Sequence, residues 1–192
     1  MIIAFIDFEA SALENGYPIE VGYARSDGIV GAFLIKPRSE WLYLNWSSAS
    51  QSIHRLPRTI LNQGLDANEV LARLNVELQG CVCFATAPAF DWQWLQMLNP
   101  GQALDFRLMQ TPADSLLMMV AEEAGIPGPI AARIVDRATR LGGHTAAGDA
   151  VGLAAGYEIL RRPGEIRMKE AEACFRRWLS SAVAAAAAWR SG

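Results

Sequence analysis

The chain has 192 residues, 52% of them apolar and 19% charged, and carries a formal net charge of −3. This length suits one compact domain, and the apolar share is enough for a sizeable core, which excludes a disordered chain. The slight acidity argues against a protein that coats nucleic acid nonspecifically, which would be basic, but leaves room for an enzyme that grips a short end.

Met1–Ile6 is apolar, stops at Asp7 and has no basic stretch ahead of it, so it does not read as a secretion signal. No run approaches the roughly 18–20 apolar residues of a membrane span. Ile2–Phe8 reads as a buried central strand. Ile19–Arg25 and Ile29–Lys36, separated by the turn signal Ser26-Asp27-Gly28, complete an antiparallel meander. A loop carrying Trp41, Tyr43 and Trp46 runs from Pro37 to about Leu56. Helices follow over Pro57–Asn62 and Asp66–Gln79, the second with Asp66 as its N-cap.

Cys81–Ala85 is a short strand with Cys81 and Cys83 on one face. With only two His in the chain no zinc set is evident, so Cys81, Cys83 and Cys174 read as free thiols in a reducing, cytoplasmic setting. Phe90–Leu98 reads as a helix and Ala103–Phe106 as a fifth strand. Helices then fill Pro112–Ala124, Pro129–Leu141, Thr145–Arg162 and Gly164–Trp189. The expectation is one α/β domain over 1–192, with a mixed five-stranded sheet whose first three strands are antiparallel, flanked by helices. Residues 163–192 form its C-terminal helical extension, with Ile166, Cys174, Trp178, Ala182 and Trp189 on a core-packing stripe. No Gly-rich phosphate loop follows the first strand, which sets the chain apart from doubly wound nucleotide-binding folds.

Asp7-Phe8-Glu9 ends the first strand, and residues two apart on a strand face the same way. Two carboxylates side by side repel each other unless a cation neutralises them, and oxygen donors suit Mg²⁺ or Mn²⁺. The plainer reading is two solvated charges at a strand end. Asp91 opens a helix, where a negative charge already favours the dipole. His144 follows Gly142-Gly143 on a mobile loop, and Asp149 lies one turn into the next helix.

Together Asp7-x-Glu9, Phe90-Asp91 and His144-x-Ala146-x-x-Asp149 resemble the three motifs of the DEDDh exonuclease family, which includes polymerase proofreading subunits, ribonuclease T and oligoribonuclease. The resemblance runs from Ile2 to about Leu160. Pro18-Ile19-Glu20-Val21-Gly22 is similar to the family's second strand, and Ile53-His54-Arg55-Leu56 to its Ile-His-Gly-Ile segment. The chain departs from the family in having Thr86-Ala87-Pro88-Ala89 before Phe90-Asp91, and Arg55 in place of glycine.

The resemblance implies a ribonuclease H-like fold and 3′–5′ hydrolysis of single-stranded DNA or RNA ends, or of short oligonucleotides, to 5′-mononucleotides. It implies two Mg²⁺ or Mn²⁺ ions held by Asp7, Glu9, Asp91 and Asp149, with Asp7 bridging them and His144 as general base. It places Leu13 as an apolar wedge against the terminal bases, and His54 lining the site. Phe8 and Trp46 are candidates for stacking on bases, and Arg55 for contacting substrate. Arg133, Arg137 and Arg140 share a helix face that either attracts phosphates or is simply solvated. A homodimer is possible as a family trait. The alternatives are a catalytically silent scaffold of the same fold that binds nucleic acid or a polymerase, and a phosphoesterase for a small nucleotide-like molecule.

Overall fold

β1 (Ile3–Ala10) is the hub of the molecule, with its first four residues wholly or nearly buried. In this computed structural model, residues 1–162, 173, 176–178, 180, 181, 183 and 184 are described. β1 pairs antiparallel with β2 (Pro18–Arg25), which pairs antiparallel with β3 (Val30–Lys36), as the meander predicts. On its other side β1 pairs parallel with β5 (Val82–Phe84), which pairs parallel with β6 (Arg107–Leu108). With β4 (Leu65–Asp66) parallel to the end of β3, the sheet has six strands in the order β4-β3-β2-β1-β5-β6.

Six strands replace the expected five because of β4, a two-residue edge too short to leave a pattern in sequence. The last strand is Arg107–Leu108 rather than Ala103–Phe106. Asn75 explains the shift: its side chain donates to the Ala103 carbonyl and accepts from the Asp105 N–H, doing for that backbone what a partner strand would do.

The alternation of β1 sorts the core into two layers. Ala4, Ile6 and Phe8 join one cluster with α2 (Ala67–Glu77) and α3 (Pro88–Leu98). Ile3 and Phe5 join the other with α4 (Ala113–Glu123), α5 (Gly128–Arg140) and α6 (Ala146–Arg161). Phe5, with no exposed surface beside Phe84 and Tyr157, contributes roughly 1.5–3 kcal/mol by burial. Cys81 and Cys83 are buried free thiols.

The stretch expected as loop holds a 3-10 turn (Ser39–Tyr43) and α1 (Ser48–His54), and Arg58–Gln63 is a second 3-10 turn. Ser47 caps α1 by accepting from the Ser50 N–H at 3.2 Å. Asp66 stands at the N-cap position of α2 but makes no capping bond; it lies 3.8 Å from Lys36 instead.

The described residues beyond 162 are helical, and Trp178 is buried in the α4–α6 cluster, as the stripe predicts. Ile166, Cys174, Ala182 and Trp189, and with them most of the expected extension, lie outside the described residues. Among the described residues no helix is long and apolar enough to cross a membrane.

Candidate active site

Asp7 and Glu9 share one face of β1, the face covered by α6. In the antiparallel register Asp7 lies opposite Gly22 and Glu9 opposite Glu20. Gly22 has no side chain, and that lets the start of α6 come down onto the strand. A Cβ there would sit 2.1 Å from the Ala147 nitrogen and 2.2 Å from the Ala146 carbonyl carbon. Asp149, one turn into α6, thereby reaches the β1 pair. Carboxylate oxygens of Asp7, Glu9 and Asp149 all lie within 4.8 Å of one another.

The turn before α6 is built for close approach. A Cβ on Gly142 would fall 2.0 Å from an Asp149 carboxylate oxygen. Gly143 and His144 are both left-handed, with φ of 66° and 59°, which glycine adopts without cost and histidine does not. Thr145 caps α6 by accepting from the Gly148 N–H at 3.2 Å, while its hydroxyl donates to the Gly142 carbonyl. His144 is exposed on this turn.

The fourth acid arrives from the other side. β1 pairs with β5 only as far as Phe5, so beyond it β1 has no strand neighbour there. α3 fills that space. Pro88 opens the helix, and Asp91, one turn in, is 4% exposed and accepts from the backbone N–H of Phe8. Asp7, Glu9 and Asp149, from β1 and α6, thus group at the end of the central strand, and Asp91, from α3, lies near enough to act on Asp7 and Glu9.

Burial and mutual repulsion dominate their electrostatics. Glu9 is pushed up to about 8, first by burial and then by Asp149, Glu20 and Asp91. Burial likewise raises Asp7 well above the ordinary range, and Asp91, Asp149, Glu9 and Glu20 all add to the rise. Asp91 rises to about 7 by burial, opposed by backbone N–H groups of Phe8, Asp91 and Ala87. Asp149 rises to about 6 by burial, opposed by the charge and backbone N–H of His144. Three carboxylates this close, repelling one another when ionised, offer the oxygen donors of a group that could hold a divalent cation.

A cleft opens beside the acids, lined by Asp7, Phe8, Glu9 and Asp91 and by the apolar Leu13, Ile53, Phe90 and Trp94. Leu13 is 66% and Phe90 45% exposed. His54, buried at the end of α1, also lines the cleft. Its Nδ1 accepts from the Leu56 N–H at 3.0 Å, and its Nε2 has no partner. The Nδ1 contact fixes the proton on Nε2, which is left as an unsatisfied donor.

Of the residues expected to contact substrate, Phe8, Leu13 and His54 are brought together here, while Trp46 and Arg55 are not among the lining residues. Trp46 packs edge-on against His54 and beside Tyr17, and its Nε1 donates to Gln51 at 2.8 Å. Trp41 is core, stacked on Tyr17. Arg55 is the left-handed C-cap of α1, with φ of 60°, which accounts for the glycine of the resembled segment. Sequence reasoning missed Ser50 and Trp94 as lining residues. Trp94 follows Asp91 by three residues on α3, a spacing that puts both on one helix face. Arg133, Arg137 and Arg140 are exposed, and Arg140 pairs with Asp136 at 2.6 Å.

No family model and no curated protein matches the chain. Solved structures do. Exonuclease I of E. coli, in complex with a dA16 oligonucleotide, has a TM-score of 0.58 at 15% identity over 92% of this chain and 42% of its own. Exonuclease I from Methylocaldum szegediense has a TM-score of 0.57 at 13% identity over 85% of this chain and 41% of its own. A 3′-exonuclease that recognises the 3′ end of a histone mRNA stem-loop has a TM-score of 0.55 at 12% identity, covering 86% of this chain and 65% of its own. These likenesses show that the fold is shared with exonucleases. The chain spans about two fifths of the length of the exonuclease I chains it matches.

Proposed function

We propose that the chain is a two-metal-dependent 3′–5′ exonuclease of the DEDDh type, hydrolysing single-stranded DNA or RNA ends to 5′-mononucleotides. The reading is supported by the close grouping of the Asp7, Glu9 and Asp149 carboxylates, with Asp91 near enough to act on Asp7, in a cluster that stays highly unfavourable without counter-charge. An all-oxygen donor set fits Mg²⁺ or Mn²⁺. Asp7 feels the charge of all three other acids, which suits a ligand shared between two ions. Glu9 and Asp149 would complete one ion's set and Asp91 the other's. Bound there, the ions would supply positive charge to both the attacking and the leaving oxygen of an in-line displacement.

The chain's own groups would do the rest. His144, exposed beside Asp149, takes a proton from the attacking water as the new O–P bond forms and the bond to the 3′-oxygen breaks. The 3′-oxygen takes a proton from solvent water as it leaves, a 5′-monophosphate departs, and His144 returns its proton to solvent. Leu13, Phe8 and Phe90 offer apolar surface to the terminal base, and His54 Nε2–H a donor to the sugar or phosphate. A cytoplasmic setting and a homodimer belong to the same proposal; analytical ultracentrifugation reads the second.

The test is release of mononucleotides from a 5′-labelled single-stranded oligonucleotide, with and without Mn²⁺, by the chain and its Asp7→Ala variant. A ladder shortening from the 3′ end, dependent on metal and lost in the variant, is expected. No metal-dependent release under any condition would favour the silent scaffold.

A further inference from the structure

One buried acid has no part in that chemistry. Glu20, on β2, is 2% exposed, and its carboxylate accepts from the Ala146 N–H at 3.1 Å. Ala146 is the first residue of α6, so this N–H is one of the donors that a helix start leaves without an internal partner. Thr145 satisfies a different one, the Gly148 N–H. Two residues along the same strand face, Gly22 gives the same helical turn its seat.

We infer that Glu20 is a positioning residue: its carboxylate latches the first turn of α6 onto β2 and so sets where Asp149 and His144 stand relative to Asp7 and Glu9. The inference deepens the exonuclease reading and rests on it for its catalytic consequence. The cross-strand register supplies the logic. Asp7 faces Gly22 and Glu9 faces Glu20, so the pair that gathers the acids and the pair that seats the helix lie side by side on adjacent strands. Asp149 is three residues beyond the latched amide, within the same turn. A carboxylate at a helix start also meets the positive end of the dipole, which gives a buried acid a reason to be there other than metal binding. The contact spans 126 positions of sequence and ties the second strand to the last helix of the catalytic core.

Two conservative variants separate a latch from a fifth metal ligand. Glu20→Gln removes the charge but keeps an oxygen that reaches Ala146. Glu20→Asp keeps the charge but withdraws it by one methylene. A latch needs reach, and a ligand needs charge. On a single-stranded oligonucleotide at saturating Mn²⁺, Glu20→Asp should lose about ten- to a hundredfold in kcat with little change in KM, and Glu20→Gln should retain most of it. Mn²⁺ affinity measured by calorimetry should follow the same order. The opposite ranking, with Asp near wild type and Gln as damaged as Asp149→Asn, overturns the latch. Hydrogen exchange at the amides of residues 146–149 keeps the test independent of the nuclease reading. Their protection should fall in Glu20→Asp and persist in Glu20→Gln even if no oligonucleotide is cut, and equal protection in both variants overturns the inference.

Discussion

The two walls of the cleft are built by different means. The acidic wall belongs to β1 and α3, backed by β2 and α6, where strand register and helix packing fix the carboxylates from several directions. The opposite wall comes from α1 and its flanks, where a serine cap, a left-handed arginine and packed aromatic rings hold Ile53 and His54. The first wall pays for buried like charges in stability. The second is strained at fewer points, the unpartnered Nε2 of His54 and the left-handed Arg55. On the proposed reading, the chemistry that tolerates no misplacement is set on the sheet, and the contacts to a base on a short capped helix.

The contrast is sharpest at Asp7. Asp7→Asn should lower kcat by about a thousandfold or more, as expected for a charge needed in the transition state. It should also raise the melting temperature of the metal-free protein at neutral pH by a few degrees, on the order of 1–2 kcal/mol, since it removes an acid that burial and its neighbours resist ionising. Loss of activity with loss of stability would mean that Asp7 is holding the fold together rather than straining it.

His54 probes the other wall. His54→Ala removes the Nε2 donor and the contact to Leu56, so KM should rise about tenfold and stability should fall by about 1 kcal/mol. An unchanged KM would remove His54 from substrate binding and leave it a purely local strut.

Stability against pH tests the acidic wall as a whole. Glu9 near 8, Asp91 near 7 and Asp149 near 6 all lie above their ordinary values, so the folded state binds more protons than the unfolded one between about pH 4 and 8. Metal-free protein should therefore be most stable near the acid end of that window and lose stability as pH rises through it. Added Mn²⁺ should restore melting temperature at pH 8 far more than at pH 5. A flat profile in chelator would mean that the carboxylates are better solvated than their burial implies.

The smallest effect is at the edge of the second wall. Arg55→Gly relieves a left-handed arginine and should stabilise by about 0.5–1 kcal/mol, read as a higher melting temperature. A simultaneous rise in KM would return Arg55 to contact with substrate.

The acidic wall was the more legible in sequence, for the same reason that it is rigid. A period of two put Asp7 and Glu9 on one face, and helix-start positions for Asp91 and Asp149 followed from the helix expected at Phe90–Leu98 and from the Gly142-Gly143 break. The second wall was legible only through the resemblance that named Ile53-His54-Arg55-Leu56, and its helix left no local signal. α1 reads Ser-Ala-Ser-Gln-Ser-Ile-His, a weak helix former whose stop signal is an arginine where a glycine would advertise it. Trp46 looked like an exposed stacking ring because nothing local reveals that Tyr17 and His54 enclose it. Glu20 was visible only as part of a strand segment, since its partner amide is defined by tertiary packing alone.

The docking of α6 has a consequence for biosynthesis. Asp7 and Glu9 are made well before Asp149, which joins them only once the segment after Thr145 has emerged from the ribosome and settled on Gly22. Whatever reaction the assembled acids carry out is thereby withheld from a nascent polypeptide in which β1 is folded and α6 is still to come.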